Sequence, residues 1–433
     1  MLRPVPVRKT ALGGEPATRE GGIRAPRLRP FIWGEVLRYI REVNESATEH
    51  HTARNQKVIA AIRGLFSNSG PIPLHAPSFF GNEKKYLAEC IDTTFVSYVG
   101  PFVARFDEMI AEYTGAKYAI SMASGTVALH IALIVTGVKQ SDEVITQALT
   151  FVATANPIRY CGAQPIFLDS DRETLGMSAA ALRSFLEEET EMRVDGHCYN
   201  KRTGKRISAC IPVHIFGHPC EIDTIQALCE SRNIALVEDA AESLGSFYKG
   251  RHTGTFGKVG ILSYNGNKTI TTGGGGSLLT DDEALARHAR HLATTAKQAH
   301  PWEFFHDMVA YNYRLPNTSA ALGCAQMENL TRILESKRAL AVEYQSIMSQ
   351  LDIPVIKEPH HSRSNFWLNA ILLESRAQRD EFLAEANKAG VMVRPIWTLL
   401  PKLPMYQECQ RGELSNAEWF EDRVVNVPSS VRL

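Results

Sequence analysis

From about residue 84 the apolar residues alternate between helical spacing and short runs of strand length. Glu83 to Ile91 and Phe102 to Tyr113 carry the helical period, and Tyr118-Ala119-Ile120-Ser121-Met122 is a short apolar run. A helix is expected from Gly125 to Val135, ended by Gly137. Further strands are expected at Glu143 to Thr146, Pro165 to Leu168, Cys210 to Val213, Ile234 to Val237, Gly260 to Ser263 and Ser277 to Thr280, with helices between most of them. Strands of this kind call for an α/β fold whose mainly parallel seven-stranded sheet is covered on both faces. Ligands bind such sheets beyond the carboxyl ends of the strands.

The pattern changes toward both ends. Residues 1–30 are rich in Pro, Gly and Arg with little apolar periodicity, which reads as a disordered leader. Residues 31–70 carry Phe31, Ile32, Val36, Leu37, Ile40 and Val43, then Val58, Ile59, Ile62, Leu65 and Phe66, at the spacing of two amphipathic helices. These would form an N-terminal extension serving as a cap or an oligomer contact. Asn68-Ser69-Gly70-Pro71 breaks it, so 71–317 is expected as the large domain. The helical period from Thr318 to about Leu351 predicts one long bridging helix. It leads into a smaller C-terminal α+β domain, with a strand at Trp367 to Leu373, a helix at Ala377 to Ala389 and a strand at Val391 to Val393; together these make 318–433.

Composition narrows the functional classes. Lys plus Arg (47) cancels Asp plus Glu (47), which removes the electrostatic case for nucleic-acid or membrane-surface binding. No run is long and apolar enough for a membrane helix, and the N-terminal stretch lacks a signal peptide's apolar core, so a cytoplasmic location is expected. The eight cysteines form no repeated framework and read as free thiols. His197, Cys198, Cys210, His214, His218 and Cys220 do not reproduce a paired zinc spacing, and no metal site is expected.

Three strand ends carry candidate chemistry. Ser121-Met122-Ala123-Ser124-Gly125-Thr126 lies between a strand and an apolar helix, where it is either a plain N-cap by Ser124 or a phosphate seat on the amides of Gly125 and Thr126. Phe151 follows the next strand, as core or as a ring at the sheet edge. Val237-Glu238-Asp239-Ala240-Ala241-Glu242 puts carboxylates at the end of a buried strand, where Asp239 is a helix N-cap, one side of a buried salt bridge, or the partner of a protonated pyridine nitrogen. Lys268 follows Ser263-Tyr264-Asn265-Gly266-Asn267 as a lone amine, a surface charge or a Schiff-base nucleophile. A phosphate seat, a carboxylate and a lysine in that order, each at a strand end, define a site for pyridoxal 5'-phosphate.

With these motifs the chain resembles the DegT/DnrJ/EryC1/StrS family of sugar-nucleotide aminotransferases, a branch of the fold-type I pyridoxal phosphate enzymes, from about residue 74 onward. The residues that carry the resemblance are Ala123-Ser124-Gly125-Thr126-Val127-Ala128-Leu129-His130, Thr150-Phe151, Val213-His214-Ile215-Phe216-Gly217-His218-Pro219, Val237 to Ala241, Ser263 to Lys268 and Tyr311-Asn312-Tyr313-Arg314. Pro73-Leu74-His75-Ala76-Pro77, Trp302 to Asp307 and Arg394-Pro395-Ile396-Trp397-Thr398 are similar to the LegC branch. The resemblance implies that Lys268 holds the cofactor as a Schiff base and moves the proton, that Asp239 pairs with the ring nitrogen and that Phe151 stacks on the ring. It implies phosphate contacts from Gly125, Thr126 and Ser263, and from Asn312 of a neighbouring subunit, hence a homodimer with shared active sites. Glu242 stands beside the ring hydroxyl, where the family often has Gln or His. His214, Arg394 and Trp397 are candidates for the substrate cleft.

The implied reaction transfers an amino group from glutamate to C4 of a nucleotide-linked 4-keto-6-deoxy-N-acetylhexosamine, UDP-linked, for bacillosamine- or legionaminic-type surface sugars. The alternatives are a perosamine-type or 3-keto substrate, a sugar dehydratase on the same cofactor, and a non-catalytic homologue. Histidine replaces the lysine in the dehydratases, so Lys268 argues against that reading.

Overall fold

In the computed structural model, which describes residues 52–66 and 70–432, the apolar runs become one sheet. Its strands are β1 (Tyr118–Met122), β2 (Glu143–Gln147), β3 (Gln164–Leu168), β4 (Ile207–Ile211), β5 (Ala235–Asp239), β6 (Val259–Ser263) and β7 (Gly276–Thr280), in the order β1-β7-β6-β5-β4-β2-β3. Strands β3, β2, β4, β5 and β6 run parallel, and β7 is antiparallel to both β6 and β1. The carboxyl ends of β1, β2, β5 and β6 therefore share one edge with the start of β7, and Gly276 pairs with both Met122 and Ser263.

Successive strand residues point to opposite faces, and both faces are covered. Val144, Ala209, Ile211 and Val237 pack under the helices Gly125–Val135 and Glu283–Ala293. Ile145, Ile166, Cys210 and Leu236 pack under Ala179–Glu188 and Ile222–Ser231. This two-sided burial is why these strands read as unbroken apolar runs.

The expected long helix is two helices, Asn317–Met327 and Leu330–Gln350. Asn329 Nδ2 bonds back to the Ala325 carbonyl at 3.0 Å, a local bond that competes with helical continuation. Glu328, at the break, takes Tyr86 (2.6 Å), Arg105 (2.7 Å) and Asn82 (2.8 Å).

The smaller C-terminal sheet pairs Asn369–Leu372 and Arg394–Pro395 with a central strand, Val424–Val427. The strand expected at Val391 to Val393 begins three residues later, at Arg394, and Val391 makes only a bridge to Ile72. The expected second N-terminal helix runs through residues 52–64. Its Val58, Ile59 and Ile62 are buried with Leu340, Tyr344, Ile371, Phe382 and Val425, so this helix is part of the C-terminal core. The leader and the first expected helix lie outside the described residues. Among the described residues, the cysteines are free, no group of three or more His, Cys, Asp or Glu could hold a metal ion, and no helix is long and apolar enough to cross a membrane.

Candidate active site

The shared edge of the sheet opens into a cavity of about 350 Å³. Gly125, Thr126, Phe151, Asp239, Glu242, Ser263, Lys268 and Trp397, eight of the residues expected from sequence, line it.

Its floor begins where β1 gives way to the helix Gly125–Val135. Ser124 is extended and its hydroxyl accepts from Val127 N at 3.3 Å, so it is a true N-cap, and it leaves the first amides facing the cavity. The helix end sits close against β6 and β7. A Cβ on Gly276 would lie 2.5 Å from Gly125 N and 2.7 Å from the Leu262 carbonyl oxygen. Helix dipole and free N–H groups make this a seat for an anion.

Asp239 ends β5 and is buried. Thr154 Oγ1 donates to its Oδ2 at 2.8 Å and Ala241 N to its Oδ1 at 3.2 Å, and no described cation forms an ion pair with it. Burial raises its pKa, opposed by these two bonds and by the charge of Lys268. A buried carboxyl held by two donors still has room for one cationic partner.

Its neighbour Glu238 points the other way on the strand, where it accepts from Gly254 N (2.8 Å), Phe256 N (2.5 Å) and Gly257 N (2.7 Å). His214, a candidate for the substrate cleft, is fully buried behind the site. Its Nδ1 accepts from Cys220 N at 3.1 Å, so its Nε2 carries the proton shared with Glu238 at 3.1 Å. It is a structural histidine in this arrangement. The nearby His218 is likewise buried against Ser364, and burial pulls its pKa down to about 4.

Glu242 is enclosed. Phe216 N donates to Oε2 at 2.8 Å, from a residue with φ of +54°, and Oε1 lies 3.6 Å from Lys268 Nζ. Burial raises the Glu242 pKa to about 7 against the pull of that ammonium. The strained Phe216 backbone is consistent with a conformation held for the site.

Lys268 follows β6 in a turn closed by Lys268 N to Asn265 O (3.0 Å) and Thr272 N to Tyr264 O (3.0 Å). Gly274 and Gly275 of the glycine run line the cavity. The amine lies 3.9 Å from the centre of the Trp367 ring, and Trp367 Nε1 donates to Asn267 O at 2.6 Å. Phe151 is 52% exposed at the cavity mouth, 6.4 Å from Trp397 between ring centres. A phenylalanine four residues beyond a wholly buried strand that stays open to a cavity has the exposure of a ligand contact.

Besides His214, two expected residues, Arg394 and Asn312, do not line this cavity. Arg394 is exposed, with its guanidinium on Asn387 Oδ1 (3.1 Å) and Val393 O (2.9 Å). Asn312 is exposed on the segment that bridges to Thr294. Thr154 also lines the cavity and is not among the residues expected from sequence; its one sign there is a second threonine, Thr150, four residues before it, to which it bonds at 3.0 Å. Trp367 was seen only as the start of an apolar strand.

The chain matches the model of the DegT/DnrJ/EryC1/StrS aminotransferase family over residues 79–433. It is 36% identical over 359 residues to a GDP-perosamine synthase of Escherichia coli O157:H7, covering 83% of this chain and 93% of the relative. It is 35% identical over 363 residues to a GDP-perosamine synthase of Vibrio cholerae, covering 83% and 94%. Among solved structures, an aminotransferase, TlmJ, from Streptoalloteichus hindustanus superposes with a TM-score of 0.75 at 26% identity, covering 83% of this chain and 94% of that one. The cavity's geometry and these likenesses agree: the chain belongs to the DegT/DnrJ/EryC1/StrS aminotransferase family and is a pyridoxal phosphate-dependent sugar aminotransferase.

Proposed function

We propose that this enzyme transfers an amino group from glutamate to C4 of a nucleotide-linked 4-keto-6-deoxyhexose of the perosamine type, with GDP as the carrier. The observation that carries the reading is Lys268 in the cavity, its Nζ 3.6 Å from a buried carboxyl and one strand away from a second.

The cavity residues fit the cofactor. The helix start at Gly125 and Thr126, with Ser263 against it, suits the phosphate; Asp239, buried and without a cation of its own, suits the ring nitrogen; Phe151 suits a ring face. When bound, the cofactor supplies an aldehyde to capture the amine and an electron sink for the carbon that loses a proton. Asp239 keeps a positive charge at the ring nitrogen, and Thr154 and Ala241 keep Asp239 aligned. Lys268 Nζ is the base that takes a proton and the acid that returns it, and its flexible stem lets it do both from one side of the site. Glu242 is the nearest group with which that proton can be shared.

The GDP-linked substrate comes from the two relatives named as GDP-perosamine synthases. The UDP-linked acetamido sugar of the LegC-like reading rests on Pro73 to Pro77, Trp302 to Asp307 and Arg394 to Thr398 alone, and stands second.

Homodimer formation belongs to the same proposal. The cavity lining holds two carboxyls and a single cation, Lys268, which leaves a sugar diphosphate and the glutamate carboxylates without partners. Among the described residues, Phe95, Tyr98, Trp302, Phe304 and Phe305 are exposed apolar groups suited to burial against a second copy, which would bring Asn312 to the phosphate. Arg394 would act only from such an assembled cleft.

The test is turnover with glutamate and either GDP-4-keto-6-deoxymannose or the UDP-linked 4-keto acetamido sugar, followed by mass. Amination of the GDP sugar alone supports the reading; amination of only the UDP sugar moves it to the second substrate. Lys268→Ala should abolish the cofactor absorbance band and lower turnover at least about 10³-fold, the scale of a lost acid–base group. A band unchanged in that variant refutes the assignment of Lys268.

A further inference from the structure

Lys268 is held from outside its own loop. The residue before it, Asn267, gives its carbonyl to the indole N–H of Trp367 at 2.6 Å, and the residue after it, Thr269, gives its hydroxyl oxygen to Asn365 Nδ2 at 3.2 Å. The two holders are two residues apart, and Trp367 N donates to Asn365 Oδ1 at 2.8 Å. Asn365 Nδ2 also donates to the carbonyls of Glu242 (2.9 Å) and Leu244 (2.8 Å). A single segment, 365–367, thus fastens the lysine loop to the carboxyl loop.

The segment is itself anchored. Lys337, buried in the helix Leu330–Gln350, sends its ammonium to the Trp367 carbonyl (3.1 Å), the Ser429 carbonyl (2.8 Å) and His75 Nε2 (2.8 Å). Its three acceptors match the three donors of an ammonium group. Trp367 is 4% exposed, and its ring face closes one side of the Lys268 amine at 3.9 Å. The negative face of an indole favours a cation beside it.

We propose that Trp367, fixed through Asn365 and Lys337, is a positioning residue for Lys268 that sets both the place of its amine and the pH at which the amine becomes a nucleophile. The proposal rests on the reading of Lys268 as the cofactor lysine. A tryptophan that served only to fill the core would need neither the ring-to-amine contact nor a bond to the residue next to the lysine.

The test is capture of pyridoxal phosphate by the cofactor-free full chain, read as the growth of the absorbance band and repeated across pH. Capture joins Nζ to the aldehyde carbon with loss of water, and it needs Nζ as the free amine. Its pH midpoint therefore belongs to Lys268 together with the groups that face it, the Glu242 carboxyl at 3.6 Å, Asp239 and His75, all of which every variant retains. In Trp367→Leu the midpoint falls by on the order of half to one pH unit, the size of a partly desolvated cation–π contact. Trp367→Phe keeps a ring face and recovers part of that shift, while its capture rate at high pH stays below wild type because the bond to Asn267 is gone. Lys337→Met shifts the midpoint the same way as Trp367→Leu. Midpoints equal to wild type in both Trp367 variants overturn the proposal, and an unshifted Lys337→Met overturns the anchoring. Capture that persists in Lys268→Ala would instead refute the reading of the lysine itself.

Discussion

Thr154 donates its hydroxyl to Oδ2 of Asp239 at 2.8 Å, across 85 residues of sequence, and accepts a second bond from the Thr150 hydroxyl at 3.0 Å. The hydroxyl arrives there because the chain leaves β2 through the short helical turn Val152–Thr154, directly over the end of β5. It is one of two protein donors on the carboxyl proposed above as the partner of the cofactor's ring nitrogen.

Thr154→Val removes that donor while keeping the shape. Burial already raises the Asp239 pKa, and losing the bond raises it further, so a larger fraction of Asp239 is neutral. A hydrogen bond to a charged group is worth about 1.5–3 kcal/mol, which corresponds to a fall in cofactor affinity of about 10-fold or more. Equilibrium titration of the absorbance band measures it, with Asp239→Asn expected to be weaker still. Affinity equal to wild type would mean that the hydroxyl only packs.

Glu242→Gln tests the carboxyl beside Lys268. Its pKa is raised from 4.5 to about 7, so the folded protein holds this proton more tightly than the unfolded chain does. Its contribution to stability is then greatest below about 4.5 and is lost as pH rises to about 7. The amide mimics the protonated form. The melting temperature of Glu242→Gln relative to wild type should therefore rise across that window and level off above it. An ionisation near neutrality in the wild-type rate profile should vanish in the variant. A melting difference that stays flat with pH would place the Glu242 proton elsewhere.

Much of this site could be read from sequence because it sits at strand ends. The runs at 118–122, 143–146 and 260–263 are short, apolar and buried on both faces, and residues just beyond such runs must surface at one edge. That is why Gly125, Phe151, Asp239 and Lys268 come together in one cavity. The parts that escaped are tertiary. His214 looks like a turn histidine in the sequence, and only the fold shows Glu238 and Cys220 enclosing it. The break at Asn329 is invisible to apolar periodicity, because Leu330, Ile333 and Leu334 carry the helical spacing on through it. Val424–Val427 is a short strand at the far end of the chain, and its place between Asn369–Leu372 and Arg394–Pro395 is fixed by pairing alone.

Gly276→Ala tests the seat of the helix Gly125–Val135. The added carbon would stand 2.5 Å from Gly125 N, 2.7 Å from Gly125 Cα and 2.7 Å from the Leu262 carbonyl, all of them backbone atoms that cannot rotate away. Relief requires the helix start to move off β6 and β7. Overpacking of this kind costs about 1–3 kcal/mol, and here the same displacement moves the amides proposed to hold the phosphate. Both the melting temperature and the affinity for inorganic phosphate should fall together. A drop in stability with phosphate affinity intact would separate the seat from the helix position.

Lys337 provides the test with the clearest sign. Burial pulls its pKa from 10.5 down to about 7, so between those values the unfolded chain binds a proton that the folded protein does not. The stability of wild type should rise with pH through that window, by up to about 1.4 kcal/mol per pH unit, and should be flat below about 7, where both states hold the proton. Lys337→Met lacks the group, and every other titration cancels in the comparison. Wild type should thus gain on the variant as pH climbs above neutrality, in denaturant melts run in parallel at several pH values. The three acceptors on Nζ oppose this, because they suit the ammonium form and one of them loses its donor when it deprotonates. If those bonds outweigh burial, the difference between the two proteins will not change with pH, and Lys337 will have to be read as a permanent buried cation.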